Sequence, residues 1–438
     1  MSGGAGRDPE RKPEPGWGFE TRMIHAGAGP EPVSGARQTP IYQNTAYAFH
    51  DADHAASLFN LQTFGFIYSR LGNPTVAALE QRLASLEGGR GAACCASGHA
   101  AQVLAFFPLM EPGARFAAST RLYGGSITQF GRTFAKFDWH CDFVDTDNRT
   151  AVEAALDAGA KALFIESLAN PGGVVSDLET LARLTKEAGA VLIVDNTLAT
   201  PWLCRPFDWG ADLVVHSATK FLSGNGTVIG GAVIDSGRFD WAASGRFSGL
   251  SEPEPAYHGL KFSETFGDLA FTTHAHAVGL RDLGATMAPM NAFLILLGLE
   301  TLSLRMERHC GNALRVAEWL EGHPKVEWVS YAGLPGSPYR DLAAKYLPNG
   351  AGAVFTFGVR GGYDAGIRVV EGCDLFSHLA NVGDARSLIL HPASTTHRQL
   401  SDEQRAAAGA GPDVVRLSIG LETVDDLIRD LDRALAAA

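Results

Sequence analysis

The chain has 438 residues, 46% hydrophobic and 19% charged, an ordinary soluble globular mixture with material for two or three domains. Its formal net charge is -12 and no basic cluster interrupts the acidic balance, which argues against nucleic acid or an anionic membrane surface as a main partner. The six cysteines, Cys94, Cys95, Cys141, Cys204, Cys310 and Cys373, form no Cys-x-x-Cys pair, so neither a disulfide framework nor a metal site is predicted.

In chain order, "MSGGAGRDPERKPEPGWGFE" lacks an apolar centre and reads as a flexible Pro/Gly-rich tail, not a secretory signal. An irregular arm follows to about residue 70. "PTVAALEQRLASLEGG" then places Val76, Leu79, Leu83 and Leu86 at spacings of three and four, predicting an amphipathic helix that ends at a double-glycine cap. The most apolar long window, Ala92 to Met110, is interrupted by Ser97, Gly98, His99, Gln102 and Pro108, so a buried helix is predicted there and not a membrane span. These features predict a cytoplasmic protein.

From there to about residue 270, short apolar runs alternate with helical patterns. "ALFIES", "AVLIVDNT" and "DLVVHS" read as strands, and "LETLARLTKEAG" reads as a helix stopped by Gly189. Such alternation means βαβ units and a mostly parallel sheet, whose chemistry collects at the carboxyl ends of the strands. Those ends carry Glu166, Asp195, Asn196, His216, Ser217 and Lys220. From about residue 273 come the helical "MNAFLILLGLETLSLRMERHCGNALRVAEWLEG", the strand-like "AVFTFGV", the loop "LHPASTTH", the strand "VVRLSIG" and a closing helix. The expected division is a tail and arm over 1–70, a mostly parallel-sheet domain over 71–272 and a smaller α/β domain over 273–438.

Taken alone, Lys220 reads as a surface lysine just past a strand, and Asp195 as a carboxylate capping a turn. Together with Ser217 and Thr219 they supply what pyridoxal 5'-phosphate chemistry needs. A lysine forms the Schiff base, an aspartate pairs with the protonated ring nitrogen, and hydroxyl and N–H donors hold the phosphate.

"YSRLGNPT", "LYGGS", "VDNT", "SATKFLSGNGTVIGG" and "HPASTTH...VVRLSIG" resemble, in order, the motifs of the Cys/Met metabolism family of pyridoxal-phosphate enzymes, from roughly residue 20 to the C-terminus. The resemblance implies an α/β, fold type I (aspartate-aminotransferase-like) architecture. It implies that Lys220 carries the cofactor and shuttles protons, that Asp195 pairs with the ring nitrogen, and that Tyr123 stacks on the ring. Ser217, Thr219 and the backbone N–H groups of Gly98 and His99 would hold the phosphate. Tyr68 and Arg70 would reach the phosphate of a neighbouring subunit in a homotetramer built from dimers. Arg416 would clamp the substrate carboxylate, with Asn170 and Ser387 lining the cofactor and substrate. No metal is implied.

Within the family, "YHGLKF", "GLRDLGA" and the chain length resemble the O-acetylhomoserine sulfhydrylases. His99 stands where many lyases and cystathionine γ-synthases have Met, and Gly125 where methionine γ-lyases typically have Cys. The chain departs from the sulfhydrylase pattern at "MAPMNAFL", at His276 and at Asn225. The implied reaction is replacement of acetate on O-acetyl-L-homoserine by sulfide or a thiol. A γ-lyase and a cystathionine γ-synthase are the alternatives with the same cofactor. "GNGTVIGG" suggests a nicotinamide dehydrogenase only weakly, because it does not open a first βαβ unit. A non-catalytic regulator would need an appended module that the chain does not display.

Overall fold

A computed structural model describes residues 16–170, 172–396, 398, 405 and 409–438. The tail expected over the first residues, and His397 of the "HPASTTH" loop, lie outside them. The main helices are α1 (Pro74–Glu87), α2 (Gly98–Phe106), α3 (Leu178–Glu187), α4 (Pro289–Leu299), α5 (Leu302–Glu321) and α6 (Val424–Ala436). The strands are β1 (Gly91–Cys95), β2 (Arg115–Ser119), β3 (His140–Val144), β4 (Ala162–Glu166), β5 (Val191–Asp195), β6 (Leu213–Ser217), β7 (Gly231–Asp235), β8 (Val326–Ser330), β9 (Val354–Val359), β10 (Ser377–His378), β11 (Leu388–Leu390) and β12 (Val414–Ser418).

The chain forms two compact units. The first contains the described residues up to Met110 with Asp212–Thr219 and Val228–Glu300. The second contains Glu111–Ala211, Lys220–Thr227 and Thr301–Ala438.

In the first unit, β7 pairs antiparallel with both β1 and β6. Helix α1 starts where Asn73 Oδ1 accepts the Thr75 N–H at 3.0 Å with Pro74 in the first turn, and it stops at Gly88, whose φ of 79° suits a left-handed cap. Leu79, Leu83 and Leu86 are fully buried, each stabilising the unit by about 1.5–3 kcal/mol. The expected amphipathicity is corrected: Glu80, Arg82 and Glu87 are buried too, because each has a partner inside the unit. Arg82 donates to the Ala26 and Ile24 carbonyls, Glu80 accepts the Cys94 N–H at 2.8 Å, and Glu87 meets His216 at 2.5 Å. His276 keeps a basic group beside Glu80, at 3.5 Å.

The apolar window after residue 91 is not one helix. It splits into strand β1 and helix α2 at Ser97, whose hydroxyl caps α2 by accepting the Ala100 N–H. No helix among the described residues is long and apolar enough to cross a membrane.

In the second unit, β5, β4, β2 and β3 form a parallel run in that order. Their apolar centres, such as Leu163, Phe164, Ile193 and Val194, are fully buried, as strands covered on both faces require. Helix α3 matches "LETLARLTKEAG", with Asp177 as its N-cap and Gly189 in the left-handed region just beyond its end. A second sheet runs β10-β11-β12-β9-β8, with β12 antiparallel to β11 and β9. The long helical stretch near residue 300 is two helices, α4 and α5. Within the second unit the architecture is the expected α/β type, with a parallel sheet and a smaller second sheet.

Candidate active site

In the second unit, the loop after Lys220 is held down at close range. Gly224 and Gly226 have φ of +73° and +64°, and a Cβ on either would overlap Arg305 or Asp384. Arg305 donates to the carbonyls of Phe221 and Leu222, and the Ala385 N–H donates to the Gly224 carbonyl at 2.9 Å. This clasp orients Lys220. Its Nζ donates to Asn381 Oδ1 at 2.5 Å. Burial, with a further contribution from the Arg416 guanidinium, brings its pKa down to about 8.

Arg416 lies on β12 and is 5% exposed. It donates to Asn170 Oδ1 at 3.2 Å and to the Asn381 carbonyl at 3.1 Å. Burial lowers its pKa to about 10. Asn381 therefore touches both cations, one through its side chain and the other through its backbone.

Asp195 ends β5 in register with Glu166 at the end of β4. Its Oδ1 accepts the Thr197 N–H at 3.0 Å, which fixes the turn beyond the strand. Glu166 accepts the Tyr123 N–H at 2.7 Å and the Asn170 N–H at 2.9 Å. Burial, then the neighbouring Asp195, raises the pKa of Glu166. The Tyr123 ring is 44% exposed on a turn, where it is available for stacking.

The second unit thus brings together Lys220, Tyr123, Asn170, Asp195 and Arg416. Ser387 is different. It is fully buried, its hydroxyl donates to Glu422 and accepts the Gly420 N–H, and its N–H and carbonyl are bonded to Glu422 and Ser377. With a protein partner for every polar atom, Ser387 ties together Ser377, Gly420 and Glu422. Asn381, which the sequence did not single out, is the residue that meets both cations. It was missed because an Asn in "HLANVGDARS" matches no chemical motif.

In the first unit, Gly98, His99, Ser217 and Thr219 lie at the start of α2, at the end of β6 and just beyond it. A Cβ on Gly98 would come within 2.8 Å of Ser217 Cβ, and one on Gly231 would overlap the Ser97 carbonyl. Such close backbone approach leaves the first N–H groups of α2 beside the Ser217 hydroxyl, a set of donors suited to phosphate. Thr219 Oγ1 accepts the Gly230 N–H at 3.1 Å. Arg70 stacks on the Tyr68 ring at 5.6 Å and donates to the Arg281 carbonyl, and both side chains are exposed.

The model of the Cys/Met metabolism PLP-dependent enzymes matches residues 20–436. The chain belongs to this family. It is 50% identical over 420 residues to O-acetyl-L-homoserine sulfhydrylase 1 of Thermus thermophilus, covering 95% of this chain and 100% of that protein. Among solved structures, it resembles a putative O-acetylhomoserine (thiol)-lyase of Campylobacter jejuni, with a TM-score of 0.93 and 41% identity over 96% of this chain and 100% of that one. That structure carries pyridoxyl-lysine monophosphate. A cystathionine gamma synthase of Xanthomonas oryzae gives a TM-score of 0.82 at 33% identity, covering 96% and 98%.

Pyridoxal phosphate fits the residues of the second unit, where a half-buried lysine with a depressed pKa, a strand-end aspartate and an exposed aromatic ring are what its carbonyl, ring nitrogen and ring face need. In the first unit, taken by itself, the glycine-lined helix start suits a phosphate. Among the described residues no cluster of His, Cys, Asp and Glu could hold a metal.

Proposed function

We propose that the protein catalyses γ-replacement on O-acetyl-L-homoserine, in which sulfide displaces acetate and gives homocysteine. Methanethiol in place of sulfide would give methionine. The observation that carries this reading is the trio of Lys220, Asn381 and Arg416, a proton-transfer amine and a carboxylate clamp held by one residue. The sulfhydrylase relatives support it over a lyase or a cystathionine γ-synthase.

When bound, pyridoxal phosphate supplies an electron sink that makes the substrate's Cα and Cβ protons removable. Arg416 holds the α-carboxylate, its fork steered by Asn170 and the Asn381 carbonyl. Lys220 Nζ removes the Cα proton. With its pKa brought down to about 8, the free amine becomes well populated at mildly basic pH, as a general base requires. A second proton leaves Cβ as acetate departs from Cγ, the sulfur then adds at Cγ, and protons return to Cβ and Cα to give homocysteine. Asp195 holds the proton on the ring nitrogen, and Tyr123 supports the ring and assists proton transfer.

Ser217, Thr219 and the N–H groups of Gly98 and His99 are assigned to the phosphate. Tyr68 and Arg70 are assigned to the phosphate of a neighbouring copy in a homotetramer. The exposed Phe49, Phe59, Phe64 and Phe66 of the arm support burial of that arm against another subunit. The cytoplasm is the proposed location.

Product analysis with O-acetyl-L-homoserine tests the reading. Sulfide-dependent homocysteine with equimolar acetate is expected. 2-Oxobutyrate as the main product at saturating sulfide would make the protein a lyase.

A further inference from the structure

Glu166 is 5% exposed at the end of β4, and its two oxygens serve two different loops of the second unit. Oε1 accepts the Tyr123 N–H at 2.7 Å, and Oε2 accepts the Asn170 N–H at 2.9 Å. Tyr123 bears the ring assigned to stacking, and Asn170 Oδ1 accepts from Arg416 at 3.2 Å. On the next strand Glu166 stands in register with Asp195. One carboxylate therefore reaches the anchors of the ring platform and the substrate clamp while flanking the ring-nitrogen aspartate.

A carboxylate buried beside a second one is costly, and a mere strand ending does not call for it. Its two N–H bonds oppose the rise in pKa that burial and Asp195 cause. These bonds fix both loops relative to the sheet.

We propose that Glu166 is a positioning residue of the reaction, holding the Tyr123 platform and the Asn170–Arg416 clamp in one frame with Asp195 without touching the substrate. The proposal rests on the cofactor and substrate assignments above.

Glu166→Gln keeps the size but turns one acceptor oxygen into a donor, so one of the two N–H groups loses its partner. In the holoenzyme, the cofactor dissociation constant or the KM for O-acetyl-L-homoserine rises about tenfold, whichever loop is released. Glu166→Asp keeps the charge but withdraws it by about 1.5 Å, and does not restore the lost value. On KM, Glu166→Gln combined with Asn170→Ala is expected to be no worse than the more affected single variant, because both act on one clamp. A purely structural role would lower the thermal midpoint and leave both constants unchanged.

Unchanged cofactor dissociation and KM in a folded Glu166→Gln protein overturns the proposal, as does simple additivity on KM where Glu166→Gln itself raises KM. If that variant does not fold, hydrogen exchange on the unsubstituted holoenzyme decides. The Tyr123 and Asn170 amides should exchange as slowly as the amides of β4, and loop-like exchange at either overturns it. Sulfide-dependent homocysteine formation by the unsubstituted enzyme tests the functional reading separately, so the two failures are distinguishable.

Discussion

Buried charge is handled in opposite ways in the two units. In the first, His216 Nε2 meets Glu87 Oε1 at 2.5 Å with both side chains fully buried, and His276 lies 3.5 Å from Glu80. His216 and His276 there each have a carboxylate in place. In the second, Lys220 and Arg416 are held by the neutral amides of Asn170 and Asn381 and by a backbone carbonyl, with no carboxylate at ion-pair distance among the described residues. Burial depresses the pKa of both cations. A pair neutralised in place has completed its role once the chain is folded. Two cations held only by neutral dipoles remain costly until an anion arrives, so stability is given up for binding.

Substitutions on the two sides should separate, and the largest effect on turnover belongs to Lys220. Lys220→Met is expected to lower the rate by about 10³-fold or more and to abolish the cofactor's protein-bound absorbance, read by initial rates and visible spectra. The same variant tests the cost of burial. The folded pKa of about 8 lies below the ordinary 10.5, so the unfolded chain binds more protons between those values. The Lys220 contribution to stability of the cofactor-free protein therefore improves as pH rises from 8 to 10.5. Lys220→Met should stabilise that protein most below pH 8, and the gain should fade towards pH 10.5 in thermal scans.

Next comes Arg416→Lys, which keeps the charge and loses the fork. The KM for O-acetyl-L-homoserine should rise about 10–100-fold with a smaller change in kcat. Asn381→Ala should cost about tenfold in kcat, because Lys220 loses its only side-chain partner among the described residues. An equal loss in KM alone would mean that Asn381 serves only the clamp. Smallest on turnover is Glu87→Gln. Breaking that buried pair should destabilise the fold by about 3–5 kcal/mol by chemical denaturation while leaving kcat/KM within about twofold. A large loss of kcat/KM in folded Glu87→Gln protein would erase the contrast between the units.

Much of this was legible where a local pattern and a chemical need coincide. Leu213, Val214 and Val215 announce β6, and Asp195 and Lys220 stand near strand ends because that is where an α/β sheet presents chemistry. Strands β2 and β3, "RFAAS" and "HCDFV", were missed because they lack β-branched runs and gain their stability from pairing with each other. Antiparallel β7 was missed because "GAVID" looks like part of the glycine-rich segment before it. Asn381 reaches Lys220 across 161 residues of sequence and bonds Arg416 through a backbone carbonyl, which no motif encodes. Glu166 was visible as a strand-end acid, but its two N–H partners come from loops that only the fold brings to it.

The central claim is that Lys220 is the amine kept unpaired by carboxylates for the cofactor. Borohydride reduction of the holoenzyme, followed by peptide mass mapping, tests it most directly. The account predicts a phosphopyridoxyl group on the peptide containing Lys220 and on no other lysine. A phosphopyridoxyl group on a different lysine, or none on a protein that retains activity, would contradict it.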